Sequence, residues 1–157
     1  MKPKRWIVFV LPVLAMLLVG DSAYAQEKKL KKSDLPPAVQ KTADEQSKGA
    51  TVKGYASEKE DGKLLYEVEL TVSGHSKDVT MSVDGSIVEV EEEVALDKLP
   101  DAVQQGLKKK AAAGKITKVE SLTKHNTLVA YEAHVLTGKK RSEVQVGPDG
   151  KDLAHPE

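Results

Sequence analysis

From Leu64 to Val72 the chain alternates. Leu64, Tyr66, Val68, Leu70 and Val72 are apolar or aromatic, with Leu65, Glu67, Glu69 and Thr71 between them. A period of two is that of a β-strand with one buried face. The alternation returns further on, with Val129, Tyr131, Ala133 and Val135 set against Ala130, Glu132, His134 and Leu136. Segments Thr51 to Ser57 and Ile116 to Thr123 read as a strand and its counterpart. A third strand holds Val79, Met81 and Val83, mirrored by Val144 and Val146, and Ile87 to Val94 makes a fourth. Asp84-Gly85 and Asp149-Gly150 are turn pairs of the kind that close hairpins. After the second of them only residues 151–157 remain, so a short or frayed last strand is predicted.

Two segments follow a different period. Leu35, Val39 and Ala43 fall every four residues, as do Leu99, Val103, Leu107 and Ala111. That spacing lays one apolar stripe along a helix. Pro37 and Pro100 suit a first helical turn, where the missing N–H costs nothing. Gly49 and Gly114 stand where a left-handed C-cap is wanted.

These elements repeat in order. Leu35-Pro36-Pro37-Ala38-Val39-Gln40 is matched by Leu99-Pro100-Asp101-Ala102-Val103-Gln104, 64 positions on. Tyr66-Glu67-Val68 is matched by Tyr131-Glu132-Ala133, and Val83-Asp84-Gly85 by Pro148-Asp149-Gly150, both 65 positions on. The expected fold class is therefore α+β. It comprises two tandem repeats, 33–96 and 97–157, each a helix followed by three to four antiparallel strands, with the helices packed on one sheet face and water on the other.

The start of the chain reads differently. Lys2, Lys4 and Arg5 precede a 13-residue apolar run, Ile7 to Val19, and Ala23-Tyr24-Ala25 supplies small residues for cleavage. This is the pattern of a secretory signal peptide; the run is shorter than the roughly 20 residues that span a bilayer. Residues 1–25 are assigned to it, with cleavage after Ala25, which places the mature chain in the periplasm or outside the cell without a stable membrane anchor. Residues 26–32 read as a disordered lead.

Composition narrows the function. The 24 basic and 24 acidic residues cancel, which argues against a nucleic-acid binder. The absence of cysteine removes disulfides, thiolate catalysis and cysteine-ligated metals.

The Leu-Pro-x-Ala-Val helix start, the Tyr-Glu-Val strand, the Val-x-Val-Asp-Gly turn and the acidic strand after it, in that order behind a signal peptide and echoed in a second copy that departs in having Gly147-Pro148 before its turn and almost no fourth strand, resemble the PepSY and PepSY-like group of secreted bacterial domains. The tandem arrangement is also similar to the β-lactamase-inhibitor-protein architecture. The resemblance makes 33–96 and 97–157 two PepSY-like units. It implies a binding role, in particular inhibition or regulation of a secreted peptidase, and carries over no catalytic residue.

Candidate chemistry is sparse. Gly-x-Ser-x-Gly and phosphate-binding loops are absent; Ser73-Gly74-His75-Ser76 sets serines beside a histidine in a turn without an orienting acid. His75 and His125 lie in turn-like segments, and His155 is near the end. No His-x-x-x-His or His-Glu-x-x-His spacing occurs. Glu132 and His134, two apart on a strand, share a face and would ligate a metal only with help from elsewhere. Lys108-Lys109-Lys110 and Lys139-Lys140-Arg141 read as a helix end and a turn in solvent. No catalytic, cofactor or metal residues are assigned, and the protein is expected not to be an enzyme. The expected partner face consists of the residues opposite the apolar set: Glu67, Glu69, Glu89, Glu91, Glu120, Glu132 and His134. Its partner would be a secreted or envelope protein such as a peptidase. The alternative is a small-ligand or Ca²⁺-binding envelope protein that uses the same carboxylates.

Overall fold

The computed structural model describes residues 28–60 and 62–157. The signal-peptide reading of residues 1–25 lies outside them. The chain runs β1 (Lys28–Leu30), α1 (Pro37–Gln46), β2 (Thr51–Glu60), β3 (Lys63–Val72), β4 (His75–Met81), β5 (Ile87–Glu93), α2 (Asp101–Ala111), β6 (Lys115–Lys124), β7 (Thr127–Thr137) and β8 (Lys140–Val146). Short 3-10 turns at Lys32–Asp34 and Leu96–Lys98 lead into the two helices.

All eight strands form one sheet in chain order, and each pairs antiparallel with the next. This corrects the expected fold class. The molecule is sheet-dominated, with two short helices of 10 and 11 residues, and not a pair of helix-plus-strand repeats. The physical reason is the pairing of β5 with β6, from Glu89 opposite Lys124 to Glu93 opposite Glu120. Backbone hydrogen bonding therefore runs unbroken across the expected boundary at 96/97. A further correction concerns the lead. Lys28–Leu30 pairs with β2, Leu30 opposite Tyr55, and Leu30 packs against the core. The expected final strand does not form; residues 151–157 lie outside the sheet.

The helices are built alike. Each begins with a Leu-Pro step, and a glutamine folds back on it. Gln40 Nε2 donates to the Leu35 carbonyl at 2.8 Å, and Gln104 Nε2 to the Leu99 carbonyl at 3.0 Å. Gly49 takes the expected left-handed conformation after α1 (φ +78°). After α2, Ala112 takes the positive φ of 50° and Gly114 serves another purpose: a Cβ there would lie 2.2 Å from Val135 Cγ1.

Each helix buries its stripe on the same face of the sheet, the back. Val39 and Ala43 of α1 cluster with Val68, Leu70, Val79 and Met81 of the sheet; Val103 and Leu107 of α2 cluster with Val119, Ala133, Val135 and Val146. Each large aliphatic side chain buried there contributes about 1.5–3 kcal/mol. Leu64 was expected on this face but sits exposed at the end of β3, and its neighbour Leu65 is buried on the other side.

Candidate functional site on the front sheet face

The register fixes what shares the front. Glu67 lies opposite Thr80, which lies opposite Glu89, which lies opposite Lys124. The next row holds Glu69, Asp78, Glu91, Leu122 and Ala130. A third holds Glu93, Glu120, Glu132 and Gln145, and a fourth Lys118, His134 and Glu143. Glu67, Glu69, Glu89, Glu91, Glu120, Glu132 and His134 therefore all fall on the face away from the helices. Glu91, Glu120, Glu132 and His134 cluster near the middle strands. Glu69 lies on β3 opposite Asp78, Glu67 is one row away on the same strand, and Glu89 pairs with Lys124 at 3.3 Å.

This face is not the uniformly wet surface expected. Leu65, Leu122, Ala56 and Ala130 are buried, and Glu120 is only 2% exposed. Among the described residues no helix covers them.

Glu120 is the hub. Its Oε1 accepts from Lys118 Nζ at 2.7 Å, and its Oε2 lies 2.7 Å from His134 Nε2. A carboxylate only accepts, so the imidazole N–H donates. Ser76 Oγ adds a longer contact at 3.5 Å. His134 also lies 3.7 Å from Glu132 and 3.6 Å from Glu143. Removing Lys118 strands a buried carboxylate. Lys118→Ala is expected to cost about 1–3 kcal/mol in urea unfolding; a loss under about 0.3 kcal/mol would show that water or His134 satisfies Glu120 alone.

The remaining carboxyls are crowded. Burial pushes the Glu91 carboxyl up to about 8, helped by the neighbouring charges of Glu89, Glu120, Glu132 and Asp78. Burial, then Glu120, pushes Asp78 up to about 6, partly opposed by Lys118. Glu132 is also raised, by burial, although Gln145 Nε2 donates to it at 2.8 Å. Burial alone would lower the Lys118 ammonium, but its bond to Glu120 and the charges of Asp78 and Glu91 raise it. Glu93 goes the other way: the Ser76 backbone N–H, 3.0 Å from its Oε2, lowers it.

Two groups here have metal-ligand geometry. One ligand atom from each of Asp78, Glu91 and Glu120 lies within 4.8 Å of the others, and the same holds for Glu120, Glu132 and His134. Glu120 is thus the help that Glu132 and His134 needed. Asp78, Lys118, Ser76 and Glu143 were missed in the sequence. Asp78 was within reach, because it sits one place before the apolar Val79 and so falls on the glutamate face. Of the other histidines, His75 opens β4 and is exposed, and His125 occupies the turn between β6 and β7 with φ +47°.

Neither a family model nor a curated protein matches this sequence. Solved structures do. A Bacteroides eggerthii protein described as periplasmic is 18% identical, with a TM-score of 0.60 over 74% of this chain and 84% of its own. A DUF2874-family protein of Bacteroides ovatus is 22% identical, with a TM-score of 0.57 over 74% and 82%. A BLIP-like protein of Bacteroides fragilis is 19% identical, with a TM-score of 0.54 over 78% and 89%. At such identities these likenesses establish the fold alone. They meet the β-lactamase-inhibitor-like part of the sequence resemblance, and the PepSY part has no counterpart among them.

Proposed function

We propose that this is a non-enzymatic binding protein of the cell envelope that receives a positively charged group of a partner protein on its front sheet face. The observation that carries the reading is the crowding of Glu91 by four other carboxylates on a face that no helix covers among the described residues. A lysine or arginine entering among Asp78, Glu91 and Glu120 would relieve that repulsion, and the ring of glutamates would speed encounter. The envelope location rests on the signal-peptide pattern of residues 1–25 and agrees with the periplasmic description of the Bacteroides eggerthii protein.

The test is capture from envelope and culture fractions on immobilised wild-type protein and on a Glu69→Lys/Glu89→Lys variant. A stoichiometric partner held by the wild type and lost by the variant supports the reading, and a peptidase in the eluate would make inhibition the next assay. A partner held equally by both would move the interface off this face.

The two ligand-like triads favour a second reading, a divalent cation at the same carboxylates. Ca²⁺ takes six to eight oxygen ligands and tolerates irregular geometry, which a carboxylate cluster suits. A cation that binds only the folded state at 100 times its Kd stabilises it by about 2.7 kcal/mol. Millimolar Ca²⁺ is then expected to raise the melting temperature of the wild type and not of Glu91→Gln. No shift in the wild type leaves the partner-protein reading alone in the field.

A further inference from the structure

We propose that the outer edge of β8 is a self-association surface, on which a second copy of the chain pairs antiparallel about Ser142. The two edges of the sheet differ. β1 is three residues long, whereas β8 spans seven and has no strand beyond it among the described residues. Gly138 and Lys139 form a two-residue turn between Thr137 and Lys140, with Gly138 at φ +62°. In such a hairpin Thr137 and Lys140 exchange backbone hydrogen bonds, and so do Val135 with Ser142 and Ala133 with Val144. The backbone N–H and C=O of Arg141 and Glu143 therefore face outward. An unpaired row of this kind is a template for another strand.

Charge selects the occupant and the register. Arg141, Ser142 and Glu143 are all exposed, and Arg141 makes no ion pair among the described residues. Glu143 lies 3.6 Å from His134, and its side chain stays 54% exposed. A two-fold axis through Ser142 sets Arg141 opposite the partner's Glu143, twice, in the pairs whose backbone groups are free. Shifting the axis one position to either side sets Arg141 against the partner's Arg141, or Glu143 against the partner's Glu143, and like charges directly opposite are unfavourable. The edge thus complements itself in one register. The chain's own tail forms no strand on it. Leu153, Pro156 and Glu157 share with Lys140–Glu143 the lining of a cleft of about 820 Å³, and the tail is held at Gln145, whose Oε1 accepts from the Glu157 N–H at 2.8 Å.

The chain has no cysteine, so a single one can report the register. Ser142 opposite the partner's Ser142 is a non-hydrogen-bonded pair, with Cα atoms about 4.5 Å apart, inside the range a disulfide bridges. Under mild oxidant Ser142→Cys is expected to form covalent dimer at least about tenfold faster than Lys48→Cys, an exposed site in the turn after α1. Adding Arg141→Glu should slow it to the Lys48→Cys rate, and the swap Arg141→Glu/Glu143→Arg should restore it. Circular dichroism of each variant confirms that it is folded. Equal rates for the two cysteine variants, or a swap that fails to restore, overturns the proposal.

Discussion

Replacing Gly150 by alanine is expected to lower the free energy of unfolding by about 2–5 kcal/mol. Two costs combine at this position. The backbone holds φ at +77°, where an L side chain is strained by about 1–2 kcal/mol. The new Cβ would also stand 2.2 Å from the Ala102 carbonyl oxygen and 2.8 Å from the Val103 nitrogen, in the first turn of α2. Those are backbone atoms and cannot swing aside. The turn after β8 is thus seated against the helix, and Gly106 allows the approach from the other side, since a Cβ there would meet the Gly150 oxygen at 2.2 Å. The first half repeats the device: a Cβ on Gly85 would lie 2.6 Å from the Ala38 oxygen, and Thr42 Oγ1 donates to the Gly85 carbonyl at 2.8 Å. Gly49→Ala is the control, because Gly49 has φ +78° but open space around it, so it carries the strain alone. Guanidinium unfolding followed by circular dichroism separates the two. If Gly150→Ala costs no more than Gly49→Ala, the turn does not brace the helix.

The Asp-Gly pairs show how far the sequence could be read. Their recurrence at a fixed offset marked them, and strand logic cast both as hairpin turns. Only Asp84-Gly85 joins two strands; Asp149-Gly150 is followed by none. What the pairs share is the seat against a helix, a contact that neighbouring residues do not encode. The front face divides in the same way. Period-two alternation assigned Glu67 through His134 to one side, because the face of a side chain is a local property of a strand. Which of those residues meet depends on register and on strand order, which are tertiary. A charged residue on a strand looks the same in sequence whether wet or buried, so Glu120 read as part of a solvated face and Lys118 was not singled out. The repeat suggested two helix-plus-strand units sharing one sheet, and the periodicity of β5 and β6 does not announce that these two strands pair to join the halves. β1 was hidden for a simpler reason: three residues, two of them lysines, carry no alternation to detect.

The second large effect is one of pH. Stability is expected to fall as pH rises from about 5 to about 9, and Glu91→Gln is expected to remove most of that fall. In the folded protein burial and four carboxylate neighbours lift the Glu91 carboxyl from an ordinary 4.5 to about 8. Between those values the folded chain holds a proton that the unfolded chain releases. The folded state binds more protons, so the slope of unfolding free energy against pH is negative. Asp78, lifted to about 6, and Glu132, also raised, act in the same direction. Glu93 is lowered by the Ser76 N–H and opposes them only below its ordinary range, which puts the optimum near pH 5. For Glu91 the interval from 4.5 to about 8 sets a ceiling of about 5 kcal/mol. Partial exposure and relaxation trim this to about 2–4 kcal/mol at pH 9. Glutamine has nearly the same shape and never ionises. The variant should therefore match the wild type near pH 5 and exceed its stability by that amount at pH 9, with a shallower residual slope from Asp78 and Glu132. Guanidinium unfolding of both proteins at pH 5, 7 and 9 measures the difference. Parallel curves would mean that the carboxylates ionise freely on folding. The same linkage connects stability to binding. A cationic group that enters beside Glu91 must displace its proton, so affinity for such a partner is expected to climb through pH 8 in the wild type and stay level in Glu91→Gln.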